Sequence, residues 1–189
     1  MGRGTRGRLI LYNRVMKHLF TIDLKDYDPN AKKFYRPSVR GIILDKKGNV
    51  AMIYSQKDHF YKFPGGGIEG NETHLETLTR EIKEETGMTL IPDSVEEFGE
   101  VLKMQKGDES GKGTIHIQQN YYYTCKVKDE IGEQELDDGE KALDFVLKFV
   151  PIDEAIAVNA TFESDNLFEK QMAERDKRVL EILKNTLHV

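Results

Sequence analysis

Residues 63–88 constrain this chain more than any other stretch. Phe63, Pro64 and the triplet Gly65, Gly66, Gly67 lead into a segment whose spacing predicts a helix over residues 73–86. Thr73 followed three residues later by Glu76 is a capping box, and Gly87 supplies the C-terminal stop. Leu75, Leu78 and Ile82, at i, i+3 and i+7, form an apolar stripe expected to face a sheet. At 3.6 residues per turn, Glu81, Glu84 and Glu85 fall within an arc of about 100° along one edge of that stripe.

Three carboxylates so placed repel one another, and they occupy the C-terminal half of the helix, where the macrodipole disfavours negative charge. A solvated acidic face is the ordinary explanation for such a run, and Arg80 and Lys83 would soften the repulsion. A hard divalent cation resolves the conflict differently, because Mg²⁺ takes oxygen ligands and combines carboxylates with substrate phosphates. The glycines immediately ahead permit a tight turn and let a ligand approach main-chain groups. Their position tips the balance toward a cation site.

The full spacing is more specific still. Gly66, five residues, Glu72, seven residues, then Arg80, Glu81, Ile82, Lys83, Glu84, Glu85, Thr86, Gly87 and Met88 resembles a complete Nudix box, the signature of MutT-like hydrolases. Glu69 stands where members often carry a glutamate; Asn71 departs from a common glycine, and either tolerates a turn. The resemblance implies an α/β/α sandwich with a mixed β-sheet and a loop–helix–loop catalytic motif. It implies Mg²⁺, with Mn²⁺ as an alternative, held by Glu81, Glu84 and Glu85 with a carbonyl of Gly65 or Gly66. Glu84, Glu85 and Arg80 are the implied catalytic residues, with Arg80 orienting Glu72 or Glu84 from the flank away from Glu81 and Glu85. Glu72 and Gly87 brace the motif. The implied reaction is hydrolysis of a diphosphate bond in a nucleoside diphosphate derivative by water attack at phosphorus. The general base stays open between a box glutamate and the run Glu133, Glu135, Asp137, Asp138, Glu140, most of which reads as solvated loop.

Elsewhere the pattern predicts strands within residues 17–27, 60–63, 95–104, 115–127 and 145–150, and a hairpin of residues 39–44 and 50–54 turning through residues 45–49. A short helix follows over residues 151–158, and residues 164–187 form an amphipathic C-terminal helix. Residues 149–155 resemble the strand-to-helix segment late in many Nudix domains. The expected organisation is a flexible basic tail at 1–16 and a single domain over 17–189 with the helix at 164–187 added.

Composition narrows the function classes. With 189 residues, 38% hydrophobic and 32% charged, the chain is globular. No apolar run approaches the roughly 20 residues that a membrane crossing needs. A single cysteine, Cys125, excludes an internal disulfide and suits a reducing, cytoplasmic compartment. A net charge of −5 disfavours a nucleic-acid surface. The expected partner is a small nucleotide diphosphate derivative, and a homodimer is compatible with it. Tyr121, Tyr122 and Tyr123 are read chiefly as packing residues, His59 and His116 as surface or strand residues, and the substrate-binding residues stay unassigned. The rivals are an isoprenoid-diphosphate isomerase, which would need a supported cysteine, RNA decapping, and a non-catalytic regulatory domain, which typically lacks box glutamates.

Overall fold

The computed structural model describes residues 16–107 and 113–187. The basic tail expected at residues 1–16 lies outside the described residues apart from Met16, which is buried. In chain order the elements are β1 (His18–Asp23), β2 (Lys32–Tyr35), β3 (Ser38–Ile42), β4 (Val50–Ser55), β5 (Tyr61–Lys62) and α1 (His74–Thr86). There follow β6 (Met88–Leu90), β7 (Glu96–Lys106), β8 (Thr114–Thr124), β9 (Val127–Ile131) and α2 (Asp138–Ala142). The chain closes with β10 (Phe145–Val150), α3 (Ile152–Ala160) and α4 (Leu167–Leu187).

A mixed sheet runs in the order β1-β7-β8-β2, with β3 also paired to β8. Only β7 and β8 pair antiparallel within it. A second, antiparallel sheet runs β10-β4-β5, and β6 pairs with β9. Helix α1 packs against β3, β6 and β10, while α3 and α4 pack on each other and on β5. The result is the expected α/β/α sandwich. β4 shows how the layers form: Val50 and Met52 point into the core under α3 and α4, and Ala51 points into the core under α1. Alternation of side chains across a strand buried on both faces feeds both layers.

Three local expectations are corrected. Residues 45–49 do make a tight turn, with Asp45 N–H donating to Asn49 O at 2.9 Å, but the hairpin stops after the Leu44–Val50 bridge. β3 then joins β8 and β4 joins β10, because both strands are buried on both faces and each needs its own flanking strands. Leu75 is 42% exposed instead of facing a sheet. The buried arc of α1 comprises Thr77, Leu78, Glu81, Ile82, Glu85 and Thr86, so two glutamates lie inside it, not beside it. Helical side chains lean toward the N-terminus, and Leu75, in the first turn, overhangs the packed surface. The acidic run is also more than loop: Asp137 caps the short α2, and β6 and β9 are strands that the pattern did not show.

The ends of α1 follow the local reading closely. Glu76 N–H donates to Thr73 Oγ1 at 3.2 Å, and Thr73 N–H donates to Glu76 Oε2 at 2.7 Å. Gly87 adopts φ 69° and donates to Lys83 O, ending the helix.

Candidate active site

The loop between β5 and α1 is fixed from three sides. Gly41 N–H donates to Pro64 O at 2.8 Å and Val39 N–H to Gly66 O at 2.9 Å, which ties the loop to β3. Phe63 N–H donates to Asp176 Oδ2 at 3.1 Å, which ties it to α4. Gly65 N–H donates to Glu85 Oε2 at 2.8 Å, which ties it to α1. Gly65 sits at φ +134°, and a Cβ there would collide with the Val39 carbonyl and Arg40 Cα. Gly65→Ala should therefore cost about 1–3 kcal/mol of stability from backbone strain. Turnover should fall with it, since the Glu85 contact is lost; denaturant titration and initial rates measure the two effects.

The loop and α1 wall a cavity of about 400 Å³. Glu81 and Glu85 line it and are 8% and 1% exposed. The Glu81 carboxylate presses on Gly66, where any side chain would displace it. Glu85 is ion-paired through Oε1 to the buried Lys62, which also reaches Glu140 Oε1 at 3.4 Å. Arg40, buried behind the loop, donates through Nη1 to Gly65 O, and its Nε has no partner among the described residues.

Arg80 organises the outer edge. Its Nε and Nη2 grip Glu72 at 2.8 and 2.9 Å, Nη1 donates to Glu81 at 2.8 Å and to Glu84 at 3.2 Å, and Nη2 donates to Gly67 O at 3.2 Å. The contact with Glu81 departs from the expectation that Arg80 lies on the flank away from it. Glu72 also accepts the Glu69 amide at 3.1 Å and the Thr77 hydroxyl at 2.8 Å, so its carboxylate is saturated.

These surroundings set the protonation states. The Arg80 guanidinium, followed by the Glu69 amide, holds Glu72 down at about 2. Burial lifts Glu85 to about 8 against the pull of Lys62, and burial likewise raises Glu81 despite Arg80. Burial alone would lift Glu140, but hydrogen bonding to Glu85, the Lys62 charge and the Asp137 amide together hold it below its ordinary value.

The donor set fits a hard divalent cation. Among the described residues no three His, Cys, Asp or Glu groups form a ready-made cage. What its carboxylate end offers instead is a set of oxygens: two carboxylates disfavoured by burial, the Glu140 carboxylate and a main-chain turn pressed against Glu81. A cation there would offset the desolvation that raises Glu81 and Glu85. Glu84 stands apart, with its side chain 37% exposed and outside the cavity lining.

Several cavity residues escaped the sequence reading. Lys62 and Arg40 are single charges inside apolar strand runs, which is the signal that would have found them. Glu140, by contrast, was among the general-base candidates of the acidic run, and it lines the cavity together with Asp137, whereas Glu133 and Glu135 are exposed and away from it. Tyr122 is fully buried, while Tyr121 and Tyr123 pack around His74. His59 bonds the Tyr54 hydroxyl at 2.8 Å, and His116 stacks on Phe34. Cys125 is buried, and burial pushes its thiol up to about 12, as a packing residue requires.

Lys103 on β7 lies outside the cavity lining, opposite Gln118 on β8. It is 4% exposed, and burial, with Arg175 adding, pushes its ammonium down to about 8 from 10.5. A base depressed on folding costs stability while both states are charged, and the cost fades as the folded state deprotonates first. Stability should therefore rise between pH 8 and 10.5. Thermal melts across that window should show the rise in the wild type and lose it in Lys103→Met.

A family model described as NUDIX domain matches residues 34–171, well over half of the chain. The chain belongs to the NUDIX family. A solved NUDIX hydrolase from Nitrosomonas europaea shares this NUDIX fold, with a TM-score of 0.51 at 16% identity over 75% of this chain and 89% of that one. An RNA pyrophosphohydrolase from Halorhodospira halophila is 41% identical over 54 residues, covering 29% of this chain and 30% of that protein. One from Marinomonas sp. is 40% identical over 65 residues, covering 34% and 39%. This NUDIX chain thus spans about a third of the length of the curated relatives it matches. NUDIX hydrolases generally use divalent metal ions and act on nucleotide-derived substrates. No helix among the described residues is long and apolar enough to cross a membrane.

Proposed function

We propose that this NUDIX domain is a Mg²⁺-dependent pyrophosphohydrolase that splits a diphosphate linkage in a nucleotide-derived substrate by attack of water on phosphorus. One observation carries this reading. Glu81 and Glu85, one helical turn apart, are buried against the backbone of Gly65 and Gly66 at the wall of a cavity that also holds Lys62, Arg40 and Glu140.

Glu81 and Glu85 would hold the cation, with Glu84 contributing through water and a carbonyl of Gly65 or Gly66 completing the set. When bound, the cation supplies neutralisation of the diphosphate oxygens and a lowered pKa for its water. The protein's own groups do the remainder. Lys62 and the Gly65 amide hold the two oxygens of Glu85 in fixed directions. Arg80 orients Glu81 and Glu84 and is itself locked by Glu72, so Arg80 acts as a positioning residue. Glu140, kept ionised and facing the cavity, is placed to accept the proton of the attacking water. Arg40 and Lys62 provide preorganised positive charge where phosphoryl oxygens would lie.

The reading is tested by following phosphate products over a panel comprising a nucleoside triphosphate, a nucleotide sugar, ADP-ribose, a dinucleoside polyphosphate and a 5′-triphosphorylated oligoribonucleotide. Turnover of at least one member, abolished by chelation and restored by Mg²⁺, with ¹⁸O from labelled water in one product phosphate, is expected. Binding of members without turnover of any would overturn the hydrolase reading in favour of a regulatory nucleotide-binding domain.

A further inference from the structure

A second cavity, of about 610 Å³, shares none of its lining residues with the catalytic one. The strand pairing explains why it exists. β3 and β8 stay paired as far as Ile42 and Thr124, and Cys125 N–H donates to Ile42 O at 3.0 Å. Beyond that point the two chains part. Residues 43–47 turn back toward β4, while residues 127–131 cross to pair with β6. The wedge between them is a groove. Ile43 and Met88, both almost wholly buried, make its floor, and Ile131, 56% exposed, stands at its side. Met88 follows directly on the Gly87 stop of α1, so the groove adjoins the end of the carboxylate-bearing helix.

The rim is cationic. Lys46, Lys47, Lys126 and Lys128 line the groove against Asp45 and Asp129, four ammoniums to two carboxylates, on a chain whose net charge is −5. Both acids are already engaged. Asp45 accepts the amides of Lys47 and Asn49 at 2.7 and 2.9 Å, and Asp129 pairs with Lys46 at 3.9 Å. A bulge in β9 gathers the side chains: Leu90 pairs with Val127 and Met88 with Ile131, so three residues of β9 span what one spans on β6. Bulges re-aim side chains, and here the consecutive Val127, Lys128 and Asp129 all reach the groove.

These features choose among anionic occupants. The lining has no arginine, and its one aromatic ring, Phe149, is partly buried, so the stacking platform that RNA recognition uses is lacking. The bulge breaks the regular edge that an added peptide strand would need. A membrane surface is flat, whereas this surface is a recess with two aspartates in its lining. A volume of 610 Å³ lies within the roughly 300–1,000 Å³ of small-molecule sites. We propose that the groove binds a single-chain alkyl carboxylate, its chain lying on Ile43, Met88 and Ile131 and its head among Lys46, Lys126 and Lys128. The lysine stems flank the chain while their ammoniums meet the carboxylate. This site stands whether or not the hydrolase reading does, since no catalytic residue belongs to it.

The experiment titrates the ¹⁵N-labelled full chain with sodium acetate, hexanoate, octanoate and decanoate, each below its micelle concentration, and follows the amide resonances. Decanoate should shift residues 43–47, 88 and 126–131 foremost. Each added methylene should tighten binding about two- to fourfold, the scale of burying one CH₂. Decylammonium, with the same chain and the opposite charge, should bind about tenfold more weakly, because attraction to the lysines becomes repulsion of similar size. Lys126→Glu combined with Lys128→Glu should weaken decanoate about tenfold, and Ile131→Ser should flatten the dependence on chain length. All three positions are exposed, and the comparison of chain lengths and head groups in the wild type needs no variant. Equal affinity for acetate and decanoate, equal affinity for decanoate and decylammonium, or shifts scattered over the whole surface would overturn the proposal. Binding of phosphatidylglycerol vesicles, or of a leucine-bearing polyglutamate peptide, at these residues without any response to free decanoate would overturn it too, and would reassign the groove to a membrane or to a protein partner.

Discussion

Glu85→Gln should lower kcat by about 10²–10³-fold, the usual scale for removing one preorganised charge-stabilising group. The fold should survive the change. A glutamine oxygen can still accept the Gly65 N–H that now reaches Glu85 Oε2 at 2.8 Å. Lys62 keeps Glu140 within 3.4 Å as a second partner. Glu85 is 1% exposed and burial disfavours its charge, so a neutral isostere removes a desolvation cost. Mg²⁺ affinity, by contrast, should drop with kcat. Glu84→Gln should have a smaller effect on both, because that side chain is 37% exposed and lies outside the cavity lining. Single-turnover rates and Mg²⁺ titrations of the two variants give the comparison. Wild-type kcat in Glu85→Gln would remove Glu85 from the proposed ligand set.

The largest effect on stability should come from Asp176→Ala in α4. Asp176 is fully buried and accepts four hydrogen bonds: Tyr122 O–H at 2.8 Å, Phe63 N–H at 3.1 Å, and Arg175 Nε and Nη2 at 2.8 and 3.0 Å. Arg175 is 3% exposed and continues to Asn120 Oδ1 at 3.0 Å, which also accepts the Ser38 hydroxyl at 2.8 Å. Truncating Asp176 leaves the guanidinium as a buried, uncompensated charge and strips partners from a tyrosine hydroxyl and a loop amide. Breaking one side of such a pair costs about 3–5 kcal/mol, a large part of the roughly 5–15 kcal/mol that holds a domain together. With a urea slope near 2 kcal/mol per molar, the unfolding midpoint should fall by about 2 M. The double variant Arg175→Met, Asp176→Leu should lose less than Asp176→Ala alone, since no charge is then stranded. A midpoint for Asp176→Ala within experimental error of wild type would show that the network carries no stability. Activity should fall with stability, because Phe63 begins the loop that presents Gly65 to Glu85.

Local chemistry explains what could be read from the chain without a structure. The helix over residues 74–86 announces itself through Thr73, Glu76 and Gly87, whose caps depend on neighbours three or four residues away. The spacing of Gly66, Glu72, Glu81, Glu84 and Glu85 is likewise local, so the family and its sandwich could be inferred from a short window. Strand periods placed most of the sheet for the same reason. The hairpin at residues 39–54 failed because partner choice is not a local property. Two strands buried on both faces meet at a turn and then leave for different sheets.

The rest of the cavity was hidden for the same cause. Lys62 finds Glu85 across 23 positions and Glu140 across 78, and Phe63 finds Asp176 across 113. Nothing in the spacing of those residues encodes the meeting. The amino-acid order alone therefore determined helix α1, the glycine loop and the carboxylates they carry, since helix caps and side-chain arcs follow from consecutive residues. Only tertiary packing decided which glutamates are buried, which cations face them and that Lys103 stands beside Phe168. Burial and charge pairing are properties of surfaces brought together from distant parts of the chain.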